Sequence, residues 1–234
     1  MTRIAPASVK RSPFGELLRS VQRERALIAL FDLDRRKTFG LRAARWYAFG
    51  VFGCYAMAIA LAQGKDQRAV SHGFVHAALS ALSWGVGAPA ALGAARVLAQ
   101  DAERDSLTTL AMQRGFSKPS LLGARTLAIA VRIARLVALP ALLLIALSLV
   151  RGSSVAWALA VAPAAVVYAS ALGLSLALLA QFSAELAPTR PRAFVLALAL
   201  GPLLISQAYP AVPSLPRLCS VLLARLLDAG ASLS

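Results

Sequence analysis

The sequence is short of acidic residues, of cysteine and of charge in general. It contains 10 Asp and Glu against 25 Lys and Arg, and charged residues make up only 15% of the chain. A soluble domain has about 25% charged and 45–50% apolar residues, whereas 59% of these 234 residues are hydrophobic and the mean hydropathy is +0.68. This composition excludes an ordinary soluble domain and predicts an integral membrane protein. The two cysteines, Cys54 and Cys219, form neither a disulfide framework nor a metal-ligand pattern, and both are interpreted as small hydrophobic residues.

Catalytic and nucleotide-binding patterns are also missing. The phosphate-binding loop G-x-x-x-x-G-K-[ST] does not occur, and the one Gly-Lys pair, Gly64-Lys65, is followed by an aspartate. No Ser/His/Asp arrangement or carboxylate pair lies at membrane depth, so we expect no enzyme activity from this chain alone, no directly bound cofactor and no metal site. His72 and His76 lie one helical turn apart and have the spacing of a metal or haem ligand pair. Because no carboxylate or cysteine is near them in sequence, we favour interfacial polar residues.

The positive charge is concentrated towards the N-terminus. Eleven of the 25 basic residues lie in the first 45 positions, which is typical of the cytoplasmic side of a membrane protein. The chain shows no basic groove with interleaved aromatic residues, so we expect no nucleic-acid partner.

Hydrophobic runs define the predicted fold class, an all-α polytopic bundle of five to six transmembrane helices. A span takes about 20 helical residues, and the candidates are Trp46–Ala62, Gly73–Ala99, Thr126–Val150, Val155–Gln181 and Ala193–Tyr209, with a tight outer turn after the third at Arg151. The apolar segment Leu218–Leu233 is interrupted by Arg225 and Asp228. For that segment we favour an amphipathic or re-entrant outer-face helix over a sixth crossing. With this topology 18 basic residues lie inside and five outside, which predicts a cytoplasmic N-terminus.

Residues 1–45 are predicted to be a basic cytoplasmic tail that ends in an interfacial helix, and residues 46–234 the transmembrane domain. Ser12-Pro13 suits a helix start, and an apolar stripe follows it, opposed by Arg19 and Arg23. The stripe contains Phe14, Leu17, Leu18 and Val21. Such a helix lies in the membrane interface or, alternatively, packs on another protein.

Two further patterns concern the predicted spans. Arg132 and Arg135 fall in the first half of the third span, where reaching back to the inner headgroups or facing a cavity lowers their insertion cost. Small residues repeat every four positions at Gly87, Ala91 and Ala95, and again from Ala165 through Ala169 and Gly173 to Ala177. That spacing allows helices to approach closely, in a homodimer or within one chain.

The segment 100–125 is the longest polar stretch between two predicted spans. Asp101, Glu103, Arg104 and Asp105 form a charged cluster, and Asp105 or Ser106 suits the N-cap of a short helix. Leu107 and Leu110 share one face of that helix, and Arg114 lies towards its other end. The pattern predicts a short capped helix at the membrane surface, and the alternative is an ordinary solvated loop.

This segment resembles the cytoplasmic loop of type-2 ABC exporter permeases. The matching residues are Glu103, Asp105-Ser106-Leu107, Leu110 and Gly123-Ala124-Arg125. The resemblance implies an inner-membrane permease that acts as a homodimer, or as a heterodimer with a second permease, and exports its substrate. It further implies that a separate nucleotide-binding subunit holds ATP and Mg²⁺, and that the interfacial helix is the elbow helix of the family. Contacts with this ATPase would be made by Glu103, Asp105, Ser106, Leu107, Leu110 and Arg114. The alternative is a non-transporting membrane scaffold that anchors a multiprotein complex.

Overall fold

The computed structural model describes residues 41–62, 67–104, 112, 117–208 and 215–232, and the regular secondary structure in these residues is helical throughout. The helices are α1 (Leu41–Leu61), α2 (Gln67–Leu82), α3 (Ala88–Arg104), α4 (Lys118–Val150), α5 (Val155–Leu186), α6 (Pro191–Ala208) and α7 (Leu215–Ser232). A π-helical segment, Ser83–Gly87, joins α2 to α3 without interrupting the helix. The predicted elbow helix with Phe14, Leu17, Leu18 and Val21 lies outside the described residues.

Three of these helices are long and apolar enough to cross a membrane, namely Ala69–Gln100, Lys118–Val150 and Val155–Leu186. At about 1.5 Å per residue each is about 48–50 Å long, against a hydrocarbon core of about 30 Å. They contain the second, third and fourth predicted spans and extend past the predicted ends. Arg45–Leu61 is a shorter apolar helix. The chain is therefore an all-helical protein with the character of a membrane protein.

Two polar contacts fix one end of the bundle, which we call the Arg151 end. The Arg151 guanidinium donates to the carbonyl oxygen of Ala60 at 2.7 Å, and the Ser153 hydroxyl donates to the hydroxyl oxygen of Ser71 at 3.1 Å. Helices α1 and α4 finish here and run parallel, while α2 and α5 start here. The opposite end, where α3 and α5 finish and α4 and α6 start, is called the Ser117 end.

The turn at the Arg151 end is the one that the sequence predicts. Gly152 has φ +97°, a left-handed conformation that favours glycine after the end of a helix. The N–H groups of Arg151 and Ser153 donate to the carbonyl groups of Leu147 and Ser148 and so satisfy the last turn of α4. The Ser154 side chain then caps α5 by accepting from the Trp157 N–H at 3.2 Å.

The most extensive helix contact in the bundle joins α4 and α5. A Cβ on Gly173 would lie 2.5 Å from the carbonyl oxygen of Ala130, so glycine is needed for this approach. A Cβ on Gly87 would similarly lie 2.9 Å from a methyl group of Leu176. The repeated small residues of both predicted spans are buried within one chain. Of the two alternatives that the spacing left open, the structure shows internal packing.

The last two helices follow each other along the bundle. Helix α6 starts at the Ser117 end, because the short turn at 187–190 links it to α5, and it contacts α3 and α5. Helix α7 packs mainly on α5 and also touches α2. Cys219, near its start, lies close enough to Tyr168 in the middle of α5 to interact with it electrostatically, and Asp228 reaches His72 at the Arg151 end.

Helix α7 therefore occupies the half of the bundle nearest the Arg151 end. One face, with Cys219, Leu223 and Leu227, is buried. Leu218 and Leu222, on another face, are exposed apolar residues. Arg225 and Asp228, in the second half of the helix, are exposed as well. The expected amphipathic helix is present, but it is embedded between helices and does not lie on their ends. Within the described residues α7 finishes at the Arg151 end, and the number of crossings stays a prediction.

Candidate functional site

Five of the six residues that the resemblance assigns to contacts with an ATPase fall outside the described part of the chain. They lie between α3 and α4, in what we call the coupling segment. Glu103 lies in the last turn of α3. The others, Asp105, Ser106, Leu107, Leu110 and Arg114, are not described. What the structure does describe is how the segment is held, since α3 leads into it and α4 leads out.

The start of α4 differs from the expected boundary. The N–H group of Ser120 donates to the Ser117 hydroxyl at 3.4 Å, and the two serine hydroxyls are 2.7 Å apart. Pro119 occupies the first turn, where its missing N–H has no intrahelical acceptor to satisfy. The predicted span begins at Thr126, but α4 begins at Lys118, where Pro119 favours a helix start.

This earlier start changes the setting of the motif Gly123-Ala124-Arg125. All three residues are helical and belong to the second turn of α4. At the other boundary, α3 remains helical as far as Arg104. The polar segment between the helices is therefore shorter than 100–125 and runs from 105 to 116. Two helices that are part of the bundle hold its ends.

A polar contact lies beside the π-helical segment inside the bundle. The Ser83 hydroxyl donates to the Leu79 carbonyl oxygen at 2.6 Å, which uses its only proton. The Tyr168 hydroxyl, 2.9 Å away, therefore donates to the Ser83 oxygen. Both side chains are fully buried, so the Tyr168 hydroxyl depends on this contact for a hydrogen-bond partner. The pair links the middle of α5 to the helix that leads into the coupling segment.

The π-helical segment also receives a side chain from α1. A Cβ on Gly85 would overlap the ring of Tyr47, so the aromatic ring occupies the space that a side chain would otherwise fill. The sequence analysis did not identify this contact of Tyr47. The two glycines of Ser-Trp-Gly-Val-Gly were the one signal that could have indicated it.

His72 gains a partner that the sequence did not indicate. Its Nε2 atom lies 3.5 Å from an oxygen of Asp228 on α7, although the two residues are far apart in the chain. Within the described part of the chain, no group of three or more His, Cys, Asp or Glu side chains is arranged to hold a metal ion. The contact accordingly ties α7 to α2 at the Arg151 end.

A groove between α1 and α4 contains the most unusual combination of side chains. It has a volume of about 440 Å³ and an apolar wall formed by Phe49, Phe52, Leu136, Leu139, Pro140 and Leu143. Arg45 and Arg135 line the same groove, and both are exposed. In the described residues neither guanidinium has a hydrogen-bond or ion-pair partner. Sequence reasoning left Arg135 to face the headgroups or a cavity, and the structure places it in this groove.

Comparison of the chain with protein-family models, with curated proteins and with solved structures gives no match. The class that the fold itself defines is an all-helical protein with three helices able to cross a membrane.

Proposed function

We propose that the protein is the membrane subunit of an ATP-driven ABC exporter, of the kind that the type-2 permeases represent. The observation that carries this proposal is the pair of long helices that hold the segment 105–116. The helix Ala69–Gln100 leads into the segment and Lys118–Val150 leads out of it. Each exceeds a hydrocarbon core of about 30 Å by about 18–20 Å. In this proposal the extra length lies on the side of the segment, so that a soluble partner can reach the segment beyond the bilayer.

The packing of the helices supports the idea that a displacement of this segment is transmitted into the bundle. Helices α3 and α4 both contact α5, and Gly173 and Gly87 keep these contacts close. A displacement at the Ser117 end would move packed helices as rigid bodies. In this proposal a nucleotide-binding partner docks on Leu107 and Leu110, its ATP-driven closure shifts the segment, and α3 and α4 tilt with it. ATP and Mg²⁺ stay on the partner.

The orientation in this proposal places the Ser117 end in the cytoplasm, in agreement with the excess of basic residues assigned to that side. An inner-membrane location follows from the resemblance. Arg104 and Lys118 flank the coupling segment, and Arg190 and Arg192 flank the α5–α6 turn. The Arg151 end then faces outward.

An exposed apolar row on α5 supports association with a second permease. Leu174, Leu178, Phe182 and Leu186 lie four residues apart and are each about half exposed, from 47% to 57%. Counted from Val155, Phe182 and Leu186 lie about 40–46 Å along the helix, which exceeds a core of about 30 Å. Apolar side chains beyond the core are most stable when another protein covers them.

The test is purification of the tagged chain in mild detergent, with identification of co-purifying proteins and assay of their ATPase activity. We expect a stoichiometric partner with a phosphate-binding loop. Replacement of Leu107 and Leu110 with Asp should abolish its retention, whereas the matched control Thr109→Asp, which lies off the leucine face of the predicted helix, should retain it. Recovery of partners without ATPase activity would instead favour the scaffold. Retention of the ATPase by the double variant would refute the coupling role of the leucines.

A further inference from the structure

The groove between α1 and α4 is amphipathic in a way that matches one class of ligand. Its wall is aromatic and aliphatic, and Arg45 and Arg135 are among the residues that line it. Phe49, Leu139 and Leu143 are 66%, 58% and 55% exposed, so the groove opens sideways from the bundle. A ligand that fits it has a long apolar part and an anionic part.

The depth of the two arginines also fits such a ligand. Helices α1 and α4 run parallel, and the contact from Arg151 to Ala60 aligns their ends. Arg45 and Arg135 precede Ala60 and Val150 by the same number of residues, so both lie about 22 Å from the Arg151 end. In a core of about 30 Å they lie near the opposite boundary, within reach of lipid headgroups.

Pro140 adds an acceptor to the same groove. Proline has no N–H group, so the carbonyl of Leu136, one turn earlier, lacks its usual intrahelical donor. Leu136 and Pro140 both line the groove. A headgroup that carries hydroxyl groups as well as a phosphate can satisfy this carbonyl while its phosphate contacts the arginines.

We propose that the groove formed by Arg45, Phe49, Arg135, Leu139 and Leu143 binds one anionic phospholipid of the adjacent leaflet. The phosphate lies between the two guanidinium groups and an acyl chain lies along the apolar wall. Basic pockets between transmembrane helices are known to bind anionic headgroups in this way. The inference goes beyond the exporter function and does not depend on it.

The experiment uses the purified full-length chain in bilayers of phosphatidylcholine with a small fraction of spin-labelled lipid. We compare the motionally restricted fraction of labelled phosphatidylglycerol with that of labelled phosphatidylcholine. The unmodified chain should restrict phosphatidylglycerol preferentially. Arg45→Gln and Arg135→Gln should each lower that selectivity about fivefold, and the double variant should abolish it.

Two further variants separate the groove from general surface charge. Arg96→Gln removes an exposed cation of α3 that does not line the groove, and should leave the selectivity unchanged. Leu139→Trp fills the groove while keeping both arginines, and should lower it. Thermal unfolding of each variant in detergent verifies that the bundle is intact.

Unchanged selectivity in the arginine double variant, with the bundle folded, would overturn the proposal. An equal loss with Arg96→Gln, or no effect of Leu139→Trp, would overturn it as well. Either of the last two results would mean that the lipid selectivity depends on surface charge alone. Something other than lipid would then fill the groove.

Discussion

Gly173 on α5 and Ala130 on α4 are in direct backbone contact. A Cβ built on Gly173 would lie 2.5 Å from the Ala130 carbonyl oxygen and 3.1 Å from the amide nitrogen of Ala134. Both neighbours are backbone atoms, which cannot move aside unless α4 itself moves. The separation of the two longest helices is thus set by a single missing methyl group.

Gly173→Ala should destabilise the protein by about 1–3 kcal/mol, the usual cost of forcing extra atoms into a packed interior. The measurement is thermal or denaturant unfolding in detergent. The control is Gly123→Ala on α4, where a Cβ meets nothing within 4 Å. That change should be neutral or stabilise by about 0.5–1 kcal/mol, because alanine favours a helix over glycine. Equal stability of the two variants would contradict the close α4–α5 contact.

The buried hydroxyl pair predicts a measurable coupling between the π-helical segment and α5. Tyr168→Phe and Ser83→Ala each remove one partner of the 2.9 Å hydrogen bond. Their effects should be non-additive by about 0.6 kcal/mol, with about 1.7 kcal/mol as the upper limit for such bonds in membranes. A double-mutant cycle on unfolding free energies measures it. Pairing Tyr168→Phe with Ser175→Ala, whose hydroxyl is exposed and bonds within its own helix, should give additive effects.

The contact of Tyr47 with Gly85 predicts rescue by a second substitution. Gly85→Ala should destabilise the chain, since the new methyl group overlaps the Tyr47 ring. In a Tyr47→Ala background the same change should cost less by about 0.5 kcal/mol or more, because the obstructing ring is gone. Unfolding of the four proteins in the cycle tests this. Additivity would show that the ring lies elsewhere.

The positions of α6 and α7 predict that Arg190 and Asp228 lie on opposite sides of the membrane. Arg190, in the turn that precedes α6, lies at the Ser117 end, and Asp228 lies at the Arg151 end. In a background without Cys54 and Cys219, Arg190→Cys and Asp228→Cys should react with an impermeant maleimide from opposite sides of the membrane. Labelling of intact cells and of inverted vesicles gives the answer. Labelling of both positions from one side is the result that a sixth crossing would produce.

Element positions were largely predictable from the sequence, whereas element lengths were not. The turn at Arg151-Gly152 and the second, third and fourth spans follow directly from apolar runs and turn residues. The helices extend past the predicted spans, which were matched to bilayer thickness. Hydropathy does not indicate the extension of α4 because residues 118–125 include Lys118 and Arg125, and there the helix start is favoured by Pro119 and not by an apolar run.

Contacts between distant segments were the part that sequence reasoning missed. The pattern of Cys219, Leu223 and Leu227 indicates an amphipathic helix but does not say that α5 covers it. Nothing near His72 in sequence suggests Asp228 as its partner. The π-helical segment was not predicted either. In a helix that is apolar on most faces, one wider turn does not visibly alter the periodicity of apolar residues.

The C-terminal part of the chain forms two successive helices, α6 and α7, and the break between them has an electrostatic consequence. Helix α6 is about 27 Å long and starts at the Ser117 end, so its last carbonyl groups lie near the middle of α5, which is about 48 Å long. Cys219, in the second turn of α7, interacts electrostatically with Tyr168 in the middle of α5, so α7 starts at a similar depth. The two macrodipoles therefore place about half a unit of negative charge and half a unit of positive charge at a similar depth, away from either end of the bundle. A bound ion or a polar group passing at that depth would meet a local field that an unbroken helix does not have.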